Sequence, residues 1–186
     1  MKKIIVCIMV MILLTGCKSN DGQAAIVMDL RQRITTCSSC EFDACIVADF
    51  GEFTYQFKLK CSRDSSGKLH FSVVEPESIS GIQGTIDLQG GKIHFDNKAL
   101  GFPVLADGEL SPVSGPWIFL RGLQSGYLSS WGMDGNALKI SIDDVLAGNP
   151  LRLDVWLNDQ NVPNYAEVLW NKRRILSLSI ENFRCM

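Results

Sequence analysis

Apolar and polar residues alternate over most of the chain after residue 40. In residues 42–50, "FDACIVADF", one face is Phe42, Ala44, Ile46, Ala48 and Phe50. In residues 53–61, "FTYQFKLKC", Phe53, Tyr55, Phe57, Leu59 and Cys61 alternate with Thr54, Gln56, Lys58 and Lys60. A period of two describes a strand with one buried and one wet face. Gly51-Glu52 between the two runs predicts a hairpin turn. "KLHFSVVEP" repeats the pattern through Leu69, Phe71 and Val73, and "GIQGTIDLQGGKIHFDN" predicts a second hairpin turned at Gly90-Gly91. Towards the C-terminus "ALKISID" and "LRLDVWLND" alternate, and "YAEVLWNKRRILSLSIENF" reads as a final hairpin around Asn171-Lys172.

The period changes in two places. Over residues 24–38, Ile26, Val27, Leu30 and Ile34 recur at helical spacing and predict a helix. Residues 99–116 hold three of the six prolines and predict a long loop. A second helix follows, with Ser114 as cap and Pro116 in its first turn, carrying Trp117, Leu120, Leu123, Tyr127 and Leu128. Sequential antiparallel strands with one apolar face need a cover, and two helices are available. The predicted fold class is therefore α+β: a curled antiparallel sheet of about nine strands, covered by an N-terminal and a mid-chain helix.

The chain opens differently. Residues 4–14 carry no charge and follow Lys2 and Lys3. As a helix this stretch reaches roughly 16 Å, against a bilayer core of roughly 30 Å. A basic head, a short apolar run and small residues at its end make an export signal over residues 1–16. Leu14-Thr15-Gly16-Cys17 resembles the lipobox of bacterial lipoproteins, whose cysteine carries a diacylglycerol after cleavage. The resemblance implies a lipid on Cys17, a short tether over residues 17–24, and an extracytoplasmic protein anchored to the cell membrane. Without Lys2 and Lys3, 16 basic residues face 20 acidic ones, a formal charge of −4. No basic patch points to nucleic acid. Residues 25–186 suit one domain with a sizeable core.

Across this region the order of elements resembles the LolA-like lipoprotein-carrier superfamily. "LDVWLNDQNVPNYAEVLW", residues 153–170, is similar to its late hairpin, and "SVVEPESISGIQGTIDLQGGKIHFDN" to its early strand–Pro–strand–Gly–strand section. The resemblance implies a half-barrel that binds a lipid or other apolar ligand, without a cofactor and without enzymatic activity. The lipobox departs from the soluble carrier of that family, so shuttling between membranes does not transfer. An aromatic set is available for the apolar face: Phe42, Phe53, Tyr55, Phe57, Phe71, Phe95 and Trp117. The same residues serve a solid core equally well, which leaves an anchored sensor or interaction protein with an envelope protein partner as the alternative.

Five cysteines follow Cys17: Cys37, Cys40, Cys45, Cys61 and Cys185. "CSSC" at 37–40 raises a redox reading, but a thioredoxin-like motif opens a helix after a strand, and this one closes a helix before a strand. The spacing of Cys37, Cys40, Cys45 and Cys61 matches no standard zinc knuckle. An exported protein more often forms disulfides. If the first hairpin centres on Gly51-Glu52, Phe42 faces Cys61 and Cys40 is the diagonal neighbour of Cys61; a turn one residue earlier puts Cys40 and Cys61 face to face. Hairpin register thus predicts a Cys40–Cys61 disulfide, with Cys37 as the rival partner. His70 and His94 fall on separate strands, and no GxSxG, HExxH or P-loop occurs.

Overall fold

The computed structural model describes residues 20–95, 98–106, 109–146 and 148–186. The export signal, the lipobox and Cys17 lie outside them. Helix α1, Asn20–Thr36, comes first. It starts inside the expected tether, because Asp21 supplies an acidic first turn and Ala24-Ala25 favour helix. Val27, Leu30 and Ile34 are fully covered, as their spacing requires.

Strands β1 (Cys40–Asp49), β2 (Thr54–Arg63), β3 (Leu69–Glu75), β4 (Gln83–Asp87), β5 (Gly90–Phe95) and β6 (Lys98–Phe102) form one meander. Strands β9 (Tyr127–Asp134), β10 (Ala137–Leu146), β11 (Asn149–Leu157), β12 (Pro163–Trp170) and β13 (Arg173–Cys185) form a second. The meanders join through β1 and β13, giving an 11-stranded antiparallel sheet in the order β6-β5-β4-β3-β2-β1-β13-β12-β11-β10-β9. The chain thus leaves one edge at β6 and re-enters at the opposite edge, β9. The crossing is made by a small β7 (Leu105–Ala106) and β8 (Glu109–Leu110) pair, a 3-10 turn (Pro112–Ser114) and helix α2 (Gly115–Ser125). This is the α+β curled sheet with two covering helices that the pattern predicted, with more strands.

Four local expectations change. Residues 99–116 contain strands, not one loop, since Lys98–Phe102 adds to the sheet edge beside β5. The β4–β5 turn falls on Leu88-Gln89, where Asp87 Oδ1 accepts the Gln89 N–H at 2.8 Å; Gly90 and Gly91 begin β5. Helix α2 ends at Ser125 because Gly126 turns to φ −66, ψ 156, placing Tyr127 and Leu128 in β9. Ser114 occupies the N-cap position, but its hydroxyl donates to Ser111 O at 2.6 Å and caps no helical N–H. The last hairpin turns as expected: Asn171 and Lys172 both have positive φ, 50° and 68°, which suits a tight two-residue connection.

Alternation decides the core. Phe42, Ala44, Ile46 and Ala48 of β1, Leu59 and Cys61 of β2, and Leu176, Leu178 and Ile180 of β13 are all buried. Helix α2 covers β10–β13, packing Ile118, Phe119, Leu120 and Leu123 inward.

Candidate functional site

Helix α2 lies over the β10–β13 half of the sheet, so the apolar face of the other half runs on past the helices. Its cover there is the short segment from Leu110 to Val113. Between that segment and strands β2, β5 and β6 lies a cavity of about 580 Å³, within the usual range for a ligand pocket. Phe53, Tyr55 and Phe57 of the first hairpin form one wall, and Ile93, Phe102 and Pro103 another. Phe53 is 61 % exposed and Tyr55 47 % exposed, unusual for large aromatic side chains with no partner covering them. Phe50 meets Tyr55 edge-on at 6.2 Å, and Tyr55 stacks on Phe57 at 6.4 Å, so the rings form one continuous surface. No charged side chain lines it.

Phe53, Tyr55 and Phe57 therefore come together as expected. The other expected residues do not join them. Phe42 is buried in a ring cluster, 5.7 Å from Phe119 and 5.9 Å from Phe183. Phe71 is buried over Gly84. Trp117 is buried on α2, with the Arg121 guanidinium 5.3 Å from its ring. The side chain of Phe95 lies outside the described residues. Alternation identified these residues as inward-facing but did not say which part of the interior lacks a cover. Phe102 and Val113 escaped sequence reading because their proline-rich context reads as loop. A larger groove of about 910 Å³ is lined by more polar residues than apolar ones, among them Lys60, Ser62, Thr85 and both histidines. His70 bonds Asp64 across 2.8 Å; that contact and the Ser66 hydrogen bond, the larger cause, hold the Asp64 carboxyl below the usual range.

The expected Cys40–Cys61 bond is not formed: all five described cysteines are free thiols. The hairpin takes the register centred on Gly51-Glu52, which pairs Phe42 with Cys61 and sets Cys40 opposite Arg63. Burial pushes the Cys61 thiol up, an environment in which a thiol is inert. Cys45 faces Lys58 on the wetter side of β1. Cys40 instead meets Cys185 and Cys37, and these three sulfurs lie within 4.8 Å of one another. Nothing in the local sequence near Cys40 reports Cys185, which arrives from the last strand.

No protein-family model matches the chain, and no curated protein matches it. Among solved structures, it is similar to a LolA superfamily protein from Nitrosomonas europaea, at 9 % identity over 88 % of this chain and 93 % of that one, TM-score 0.45. The Mycobacterium tuberculosis lipoprotein LppX gives 8 % identity over 89 % and 96 %, TM-score 0.42. The structure of the CwlD amidase from Clostridioides difficile in complex with the GerS lipoprotein gives 13 % identity over 91 % and 97 %, TM-score 0.42. All three scores fall below 0.5, so the functional reading rests on this chain's own geometry. No helix among the described residues is long and apolar enough to cross a membrane.

Proposed function

We propose that this protein is a lipid-anchored extracytoplasmic binding protein, without enzymatic activity, that takes an acyl chain or similar apolar ligand against Phe53, Tyr55 and Phe57. The observation that carries the reading is the uncharged cavity of about 580 Å³. Burying exposed apolar surface stabilises a complex by about 25 cal/mol per Å², and two half-exposed rings offer such surface. Beneath α2 the Phe42–Phe119–Phe183 ring cluster fills the space against the sheet, which favours the open end as the place for a ligand. The sequence of residues 1–17 supports the membrane location, because a lipid on Cys17 would hold the domain beside a source of acyl chains.

The test is titration with a fluorescent fatty acid. Saturable binding is expected for the wild type. Phe53→Ser with Tyr55→Ser should weaken it about tenfold, each ring contributing on the order of 0.5–1.5 kcal/mol. Because both rings are exposed, the melting temperature should hold. Trp117→Ala is no substitute: removing a buried Trp costs about 3–5 kcal/mol and would unfold rather than report. Absence of saturable binding in the wild type would overturn the reading in favour of a docking surface for an envelope protein partner, which the exposed Phe53 also suits.

A further inference from the structure

The first and last strands of the sheet meet at Cys40 and Cys185. Just beyond that pair, Ser39 N–H donates to Met186 O at 3.1 Å, and Met186 N–H donates to Ser39 O at 2.9 Å. Ser39 and Met186 are thus a hydrogen-bonded pair, which makes Cys40 and Cys185 the adjoining non-hydrogen-bonded one. In such a pair the side chains come closest, the placement a cross-strand disulfide needs. The two sulfurs are 3.1 Å apart. Cys37, in the turn after α1, puts its Sγ 3.2 Å from that of Cys40. Cys40 is fully buried between the two. Cys37 and Cys185 are half-buried and border a cavity of about 280 Å³, walled by Leu30, Pro163 and Phe183.

Arg63 is the fourth member. It is only 7 % exposed, and its guanidinium makes no ion pair with a carboxylate among the described residues. Its Nη2 donates to Cys37 O at 3.0 Å and to Cys37 Sγ at 3.1 Å, and stands 3.7 Å from Cys40 Sγ. Its Nε has no hydrogen-bond partner among the described residues. A buried cation without a counter-charge is costly, and a thiolate on this cluster offsets it. The Cys40 thiol accordingly lies low, at about 6, chiefly through the hydrogen bond from Cys185, with Arg63 adding to it. Burial, and then the contact with Cys40, push the Cys37 thiol up, so the charge rests on Cys40 and reaches Cys37, at the cavity, only when a proton passes across the Cys37–Cys40 contact. The same guanidinium sets a positive charge against any metal cation.

We propose that Cys37, Cys40 and Cys185 form a thiol–disulfide exchange site, in which Cys37 receives a low-molecular-weight disulfide from the cavity and the exchange ends as a Cys40–Cys185 bond. The Cys37 thiolate attacks one sulfur of RSSR, forming Cys37–S–S–R and expelling RS⁻, which takes the Cys40 proton. The Cys40 thiolate attacks the Cys37 sulfur, forming Cys37–Cys40 and expelling a second RS⁻, which takes the Cys185 proton. The Cys185 thiolate then attacks the Cys40 sulfur and returns Cys37 as a thiolate beside Arg63. Two protein thiols are oxidised and RSSR is reduced to two RSH. The end state keeps Arg63 paired and ties β1 to β13, 145 residues apart in sequence. The site is separate from the apolar pocket and does not depend on that reading.

The test uses the full mature protein in detergent, reduced, desalted and mixed with oxidised glutathione. Samples are quenched with N-ethylmaleimide over time and mapped by mass spectrometry. Glutathione should appear first on Cys37, then give way to Cys40–Cys185 with Cys37 free. Cys40→Ser should arrest the reaction at the Cys37 adduct. Arg63→Gln, checked for folding by circular dichroism, should slow the first adduct about tenfold through loss of thiolate; should it fail to fold, the Cys40→Ser arrest decides. Cys45→Ser should change nothing. First attachment at Cys45 with the three-thiol cluster unreacted would overturn the proposal. So would a final Cys40–Cys61 bond, or a stoichiometric zinc ion that blocks the adduct.

Discussion

Gly84 and Gly91 each lie beneath a phenylalanine ring. A β-carbon added to Gly84 would come within 2.3 Å of Phe71 Cζ, and one added to Gly91 within 2.1 Å of Phe102 Cζ. In both cases the ring belongs to the residue directly opposite on the neighbouring strand. A glycine there leaves room for an aromatic to lie flat across the sheet. The two sites predict different outcomes. Phe71 is buried, so Gly84→Ala should cost roughly 1–3 kcal/mol in urea denaturation, as overpacking does. Phe102 is half-buried and lines the apolar cavity, so Gly91→Ala should displace a wall of the site. Its main effect should be several-fold weaker fatty-acid binding, with the smaller loss of stability. In the sequence Gly91 reads as a turn residue and Gly84 carries no reading of its own. The ring that needs each one comes from another strand, and no local pattern contains it.

At the scale of elements, α2 depends on close approach to the sheet. A β-carbon on Gly122 would meet Leu153 Cδ2 at 2.6 Å, and one on Gly126 would meet Ile142 Cγ2 at 2.3 Å. Helix α1 secures the far end of α2: Arg31 Nη2 donates to Gly126 O at 2.9 Å and to Gln124 O at 3.3 Å. A cation on the last carbonyls of a helix both satisfies orphan acceptors and matches the helix dipole. Arg31→Ala should therefore cost about 1–2 kcal/mol. Amide exchange in the last turn of α2 should quicken more than in β1, which would separate a lost cap from general destabilisation. Both helices were legible, α1 from its apolar stripe and α2 from Pro116 and its Trp117–Leu123 face. Their ends were less so: α2 stops at Gly126, an extended residue packed where Ile142 leaves no room for a β-carbon, and the apolar residues Tyr127 and Leu128 beyond it belong to β9.

For the whole molecule, the proposed lipid on Cys17 would set where the pocket and the thiols work. Helix α1 starts three residues after Cys17, at most about 10 Å of extended chain, so the anchor would hold the domain against the bilayer. Cys17→Ser should abolish labelling by a clickable fatty acid and move the protein from the membrane fraction to the soluble one; label retained on the substituted protein would remove the anchor. Most strand and helix segments and their inward faces follow from the sequence itself, because backbone geometry ties periods of two and 3.6 to particular faces; the first hairpin's register was narrowed to two choices. The expected export signal and lipobox are read from equally local patterns. Tertiary structure alone decided that β13 pairs with β1 rather than leaving both at edges, and so that Cys40 meets Cys185, while the β1–β2 register sets it opposite Arg63 and not Cys61. It also decided that α2 covers one half of the sheet and leaves Phe53, Tyr55 and Phe57 open while Phe42, Phe71 and Trp117 are sealed. Alternation says that a side chain points inward; what it meets there depends on which distant segments pack most favourably together, a property of the whole chain.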